Sequence, residues 1–90
     1  MKDETQKFEA GTEVMWTVRG RTNYGRVIAR VPDGETAGSC VPDGYTLADR
    51  NQAHLSRPYD SWLVLPVWSK KQLMWPKPKT LERYITDGRI

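Results

Sequence analysis

Seven glycines and six prolines divide this 90-residue chain so that no stretch lacking both exceeds thirteen residues, 45–57. In a helix interior glycine costs about 1 kcal/mol and proline about 3 kcal/mol relative to alanine. No segment compensates with a sustained apolar period of 3.6 residues. What repeats instead is alternation. In residues 13–19, Val14, Trp16 and Val18 fall on one face, and Glu13, Met15, Thr17 and Arg19 on the other. In residues 24–31, Val27, Ala29 and Val31 form the inward set, opposite Arg26, Ile28 and Arg30. Period-two patterning of this kind is the signature of half-buried strands. The connector 20–23, GRTN, is rich in turn formers and predicts an antiparallel hairpin between the two runs.

Beyond the hairpin, residues 60–67 (DSWLVLPV) are the most strand-like stretch. Pro66 lacks an N–H, so this strand is expected to end there or to lie at an edge. Ser69, Lys70 and Lys71 predict a tight polar turn into a short strand over 72–75, stopped by Pro76. A 3₁₀ or single α turn is expected over 79–84, with Leu81 and Tyr84 on one side.

The tetrapeptide VPDG occurs twice, at 31–34 and 41–44. The residues that follow, ETAGSC and YTLADRN, are too different for an internal repeat. The first copy is expected to close the second strand as a type I turn with proline at i+1 and glycine at i+3. The second falls inside a long connection, 32–57, and loops of that length are usually functional or disordered. The segment is thus expected to be one long acidic loop, the part of the chain least needed by the fold.

Size restricts the rest. A chain this short buries roughly 60–65% of its extended surface, enough for one modest core and no second one. Apolar residues make up 38% of the chain, but four Trp, four Tyr and one Phe bury much area each. The longest apolar run, 62–68, has seven residues, against the about 20 a spanning helix needs. The start, MKDETQKFEAG, has no apolar signal-peptide core, and the single cysteine, Cys40, fits a reducing compartment. A cytoplasmic protein without membrane contact is the expectation.

The net charge of +3 is unevenly spread. Residues 1–18 carry −2, 19–30 carry +4, 31–49 carry −4 and 50–90 carry +5. Basic elements around an acidic middle suggest one positive face.

Catalytic and metal chemistries find little to work with. One His and one Cys, His54 and Cys40, cannot furnish the ligands of a zinc site. Asp33, Glu35, Asp43 and Asp49 lack the D-x-D-x-D-G calcium spacing and read as turn residues. Nothing marks Cys40 as an activated nucleophile, and no glycine-rich phosphate loop occurs. No enzyme, cofactor or metal is expected. The basic and aromatic residues suggest more. Arg19, Arg21, Arg26 and Arg30 lie on or beside the first hairpin, and Lys70, Lys71, Lys77 and Lys79 cluster around the last predicted strand. Trp16 and Trp75 are expected in the core, while Tyr24, Tyr59 and Trp68 sit at strand ends, where binding residues concentrate. If the fold gathers these cations beside Tyr24 and Trp68, they would bind phosphates and stack bases.

Four stretches, in order, carry a resemblance: GTEVMW at 11–16, YGRVIARVPDGE at 24–35, RPYDSWLV at 57–64 and QLMWPKPKTLE at 72–82. The ordered set resembles small bacterial and phage proteins with a Tudor-like or SH3-like barrel, of the hypervirulence-associated Tudor domain type. The resemblance spans most of 11–82 and implies a fold and a binding role, with no defined substrate. The second VPDG and residues 45–51 have no counterpart in it.

The expectation is therefore an all-β fold: a small, strongly bent antiparallel barrel over 11–85 with a long loop at 32–57 and a short C-terminal helical turn. A flexible arm precedes it at 1–10 and a tail follows at 86–90. Its preferred partner is DNA or RNA, held by Arg19, Arg21, Tyr24, Arg26, Arg30, Trp68, Lys70, Lys71 and Lys77. The alternative is a protein-interaction module, for example a phage accessory protein that inhibits a host defence or replication protein. It would use the loop residues Asp33, Glu35, Asp43 and Tyr45 together with Tyr59.

Overall fold

The computed structural model describes residues 8–83. Six strands form in chain order: β1 (Glu13–Val18), β2 (Arg21–Val31), β3 (Thr46–Leu47), β4 (Ser61–Pro66), β5 (Gln72–Leu73) and β6 (Glu82–Arg83). The only helical elements among the described residues are three single 3₁₀ turns, at Gly38–Cys40, Arg50–Gln52 and Pro78–Thr80. The fold is all-β, and among the described residues no helix is long and apolar enough to cross a membrane. The main sheet is antiparallel, with order β4-β2-β1-β6, and β3 pairs β5 in parallel. A two-way bridge between Val64 and Met74 ties the second sheet to β4.

The first hairpin is tighter than its sequence suggests. Val18 already pairs with Arg21, so residues 20–23 are not a connector and the loop is only Arg19 and Gly20. Their φ values, +51° and +81°, define a two-residue turn of type I′, which matches the right-handed twist of the flanking strands. The chain end of the sheet also differs from expectation. The turn expected over 79–84 is a 3₁₀ turn ending at Thr80, after which Glu82 and Arg83 pair with β1 as an edge strand. Tyr84 and the tail 86–90 lie outside the described residues.

There are two cores, not one. The first joins Phe8, Val14, Trp16, Val27, Trp62, Val64 and Leu81 on one face of the sheet. The second joins Val31, Ala37, Leu47, Leu63, Leu73 and Trp75 on the other. Alternation along β4 serves both, with Trp62 and Val64 on one side and Leu63 on the other, so the strand is buried on both faces. A register shift between Val27 and Ala29 does the same for β2. One extra residue in a strand reverses the side-chain parity beyond it. Val27 therefore enters the first core while Ala29 and Val31 face the second, instead of sharing one face. Phe8, inside the segment read as an arm, is buried edge-on against Trp62 at 5.2 Å.

The segment 32–57 supplies the second core, which overturns its reading as a dispensable loop. Ala37 and Leu47 are buried, and the segment folds back on itself through Ala37 N–H to the Leu55 carbonyl (3.0 Å) and Gly38 N–H to the Ala53 carbonyl (2.9 Å). Thr46 and Ala48 donate to the carbonyls of Lys71 and Leu73, which fixes β3 on β5. The two VPDG copies make the same turn, one residue later than expected. In each the proline carbonyl accepts from the residue after glycine, Glu35 or Tyr45, at 2.9 and 3.1 Å. Gly34 and Gly44 hold φ of +87° and +91°, the i+2 state of a type II turn.

Candidate nucleic-acid interface

Because 32–57 covers only the β4 side of the outer sheet face, the opposite part stays open. There Glu13, Met15 and Thr17 of β1 stand in register with Arg26, Tyr24 and Thr22 of β2. Where β2 meets the end of β4 the surface sinks into a groove of about 490 Å³, walled by Tyr24, Arg26, Pro66, Val67 and Lys70, with Glu13 at one side. Backbone geometry makes this groove. Gly25 pairs with Pro66 so closely that a Cβ on it would fall on the Leu65 carbonyl oxygen and lie 2.8 Å from the carbonyl carbon. Beyond Pro66, Val67 N–H donates to the Tyr24 carbonyl (2.9 Å) and Ser69 N–H to the Pro66 carbonyl (3.0 Å). The Ser69 hydroxyl accepts from Gln72 N–H (2.9 Å), completing a turn that presents Val67, Trp68 and Lys70.

Each residue expected at the interface has a definite place. Tyr24, Arg26 and Lys70 share the groove. Trp68 stands on the turn beside it, 60% exposed, whereas Trp16, Trp62 and Trp75 are buried. Arg19 and Arg21 occupy the exposed hairpin tip. Arg30 is drawn away, ion-paired to Asp60 at 2.9 Å, and the other Asp60 oxygen accepts from Asp33 N–H at 3.0 Å. Lys71 is exposed before β5, outside the groove wall. Lys77 lines a separate cleft of about 400 Å³ with Tyr59, Pro78 and Lys79. The structure thus joins Tyr24, Arg26 and Lys70 beside Trp68, and leaves Arg30, Lys71 and Lys77 apart.

The loop residues are similarly dispersed. Asp33, Glu35 and Asp43 are exposed, Tyr45 is half-buried against the second core and Tyr59 is 41% exposed. Asp49 accepts from Asn51 N–H (3.1 Å), a local turn bond. Among the described residues no three acidic, His or Cys side chains gather as a metal site. Cys40 lies half-buried with Ser39 Oγ 3.8 Å from its sulfur.

Sequence reasoning passed over Arg57. Its guanidinium stacks over the Trp75 ring at 3.8 Å and donates to the carbonyls of Trp75 and Pro76, both at 2.9 Å. Burial lowers its pKa from the ordinary arginine value. This cation holds the end of 32–57 against the segment that follows β5, and the sequence separation of 18 between Arg57 and Trp75 hides the contact in the sequence. Compared with known proteins, the chain matches no family model, and no curated protein or solved structure is significantly similar to it.

Proposed function

We propose that this chain is a non-catalytic binding module that holds nucleic acid, DNA or RNA, on the open face of its sheet. In this reading the sheet is the body of a small SH3-like or Tudor-like barrel. The tight hairpin, the doubly covered β4 and the bridge to β5 support that curvature. The sequence resemblance extends the proposal to a protein of bacterial or phage origin, and the single cysteine to a cytoplasmic one. The observation that carries the function is the meeting of Arg26 and Lys70 with Tyr24 in one groove beside exposed Trp68. No ion pair between described residues engages Arg26 or Lys70, although Glu13 stands opposite Arg26 in the same groove. The two cations outnumber that carboxylate and would meet phosphates, and the two rings offer flat surfaces to bases or sugars.

The test is anisotropy of labelled single-stranded DNA, duplex DNA and RNA at 50 and 200 mM salt. With about three phosphate contacts on duplex DNA, affinity falls about 40-fold over that range. The double variant Arg26→Glu, Lys70→Glu is expected to lose at least tenfold in affinity at low salt with an unchanged urea midpoint. Absence of binding to all three probes at 50 mM salt overturns the function. Wild-type affinity in the folded double variant overturns this face.

One observation favours the rival, a protein partner such as a host defence or replication protein. Val67 and Trp68 are adjacent on the same turn and are 75% and 60% exposed. A Trp68→Ala variant that abolishes capture of one defined host protein, with no nucleic acid bound by the wild type, would establish that reading.

A further inference from the structure

The hairpin joining β1 and β2 projects beyond both cores: every residue from Thr17 to Thr22 is exposed, including Val18. At its tip stand Arg19 and Arg21, neither of which has a partner among the described residues, unlike Arg30 with Asp60 and Arg57 with Trp75. Arg19 holds a φ of +51° and is the one described residue other than glycine in the left-handed region. A side chain with a Cβ disfavours that state, and a type I′ turn ordinarily places asparagine, aspartate or glycine there. A residue held against local preference, exposed and outside both cores, points to a task outside the fold.

We propose that this tip is a groove-reading finger for B-form duplex DNA, entering the major groove so that Arg19 and Arg21 donate to guanine O6 and N7. This rests on the nucleic-acid reading of the open face and specifies its ligand. The dimensions select the groove. Three residue pairs at about 3.4 Å per residue project about 10 Å, against a major groove about 8.5 Å deep and about 12 Å wide, which admits a two-stranded ribbon. The minor groove, about 6 Å wide, excludes it, and the major groove of duplex RNA is too narrow and deep for side chains to read. Guanine presents two acceptors that match the arginine fork. Arg26, in register with Glu13, lies with Lys70 behind this ribbon, where the two cations act on phosphates outside the groove and not on bases.

The test uses the full chain and four duplexes of equal length: a guanine-containing DNA, the same DNA with 7-deazaguanine, an A·T-only DNA and the guanine sequence as RNA. Wild type is expected to bind the guanine DNA roughly tenfold more tightly than the other three, the deaza duplex having lost only the N7 acceptor. Arg19→Asn with Arg21→Gln should bind all four DNA and RNA duplexes within twofold of one another. Arg19→Asn alone should lose part of the guanine preference, Arg21 being retained, yet raise Tm by about 4 °C, because it installs the favoured Asn-Gly pair. That rise excludes misfolding as the cause. Arg26→Glu with Lys70→Glu should weaken every duplex alike. Equal wild-type binding to the guanine and deaza duplexes, or a preference that survives in the Arg19/Arg21 variant, overturns the finger while leaving the nucleic-acid reading intact. Failure of wild type to bind any duplex or single strand overturns both.

Discussion

Leu47→Ala tests whether 32–57 is folded structure or loop. Leu47 is 7% exposed and lies in register with Leu73, which is fully buried. Truncation removes about three buried carbons, about 2.4 kcal/mol at about 0.8 kcal/mol each. The cavity left between β3, β5 and β4 raises this to about 3–4 kcal/mol if neighbours relax only in part. A domain of this size has roughly 5–13 kcal/mol of total stability, so the loss is a large fraction of it. With a urea m-value of about 1–2 kcal/mol/M, the midpoint falls by about 2 M. Leu55→Ala is the internal control: the same substitution in the same segment, at a residue 45% exposed, is expected to stay within about 0.5 kcal/mol of wild type. Urea titrations followed by tryptophan fluorescence and by far-UV circular dichroism read both variants. If Leu47→Ala shifts the midpoint no more than Leu55→Ala, the second core does not stabilise the domain, and the reasoning fails.

Two further outcomes follow from the packing. Gly25→Ala places a methyl on the Leu65 carbonyl, which is backbone and cannot rotate away. It is expected to cost about 2–3 kcal/mol and to weaken nucleic-acid binding by distorting the groove, and a wild-type urea midpoint would contradict it. Arg57→Lys keeps the charge but loses the planar stack on Trp75 and the fork that reaches two carbonyls. A loss of about 1–2 kcal/mol in urea is expected, and none at all would show that charge alone holds this corner.

The elements that alternate over long runs were legible: β1, the outer half of β2 and β4 follow from Val14, Trp16, Val27, Trp62 and Val64. Pro66 ends β4 as its missing N–H requires. What the pattern concealed was parity. Ala29 and Val31 keep the spacing of Val27, yet one extra residue between Val27 and Ala29 turns them to the other core, and a bulge leaves no mark in an apolar pattern. Leu47 and Ala37 were hidden differently. They stand singly among polar residues, and their burial depends on β5, which is about 25 residues away from Leu47 along the chain. Of the candidate interface, residue types were readable but grouping was not. Lys70 and Lys71 are adjacent in sequence, and only the Ser69 turn decides that Lys70 lines the groove.

The position of the open face follows from the same packing. The chain covers both faces of β4 and the second half of β2, and no described segment with apolar side chains extends to the outer side of Met15 and Tyr24. Polar and charged residues occupy that uncovered area because a solvated sheet face must carry them. Such a face needs only enough charge to remain in water, and Thr17 and Thr22 would suffice for that. It does not need a 39% exposed tyrosine between cations, a turn that lifts a tryptophan clear of the surface, or an arginine at positive φ. These three features add nothing to either core. Solvation alone does not account for them, and they are the features that the proposed contact with nucleic acid would use.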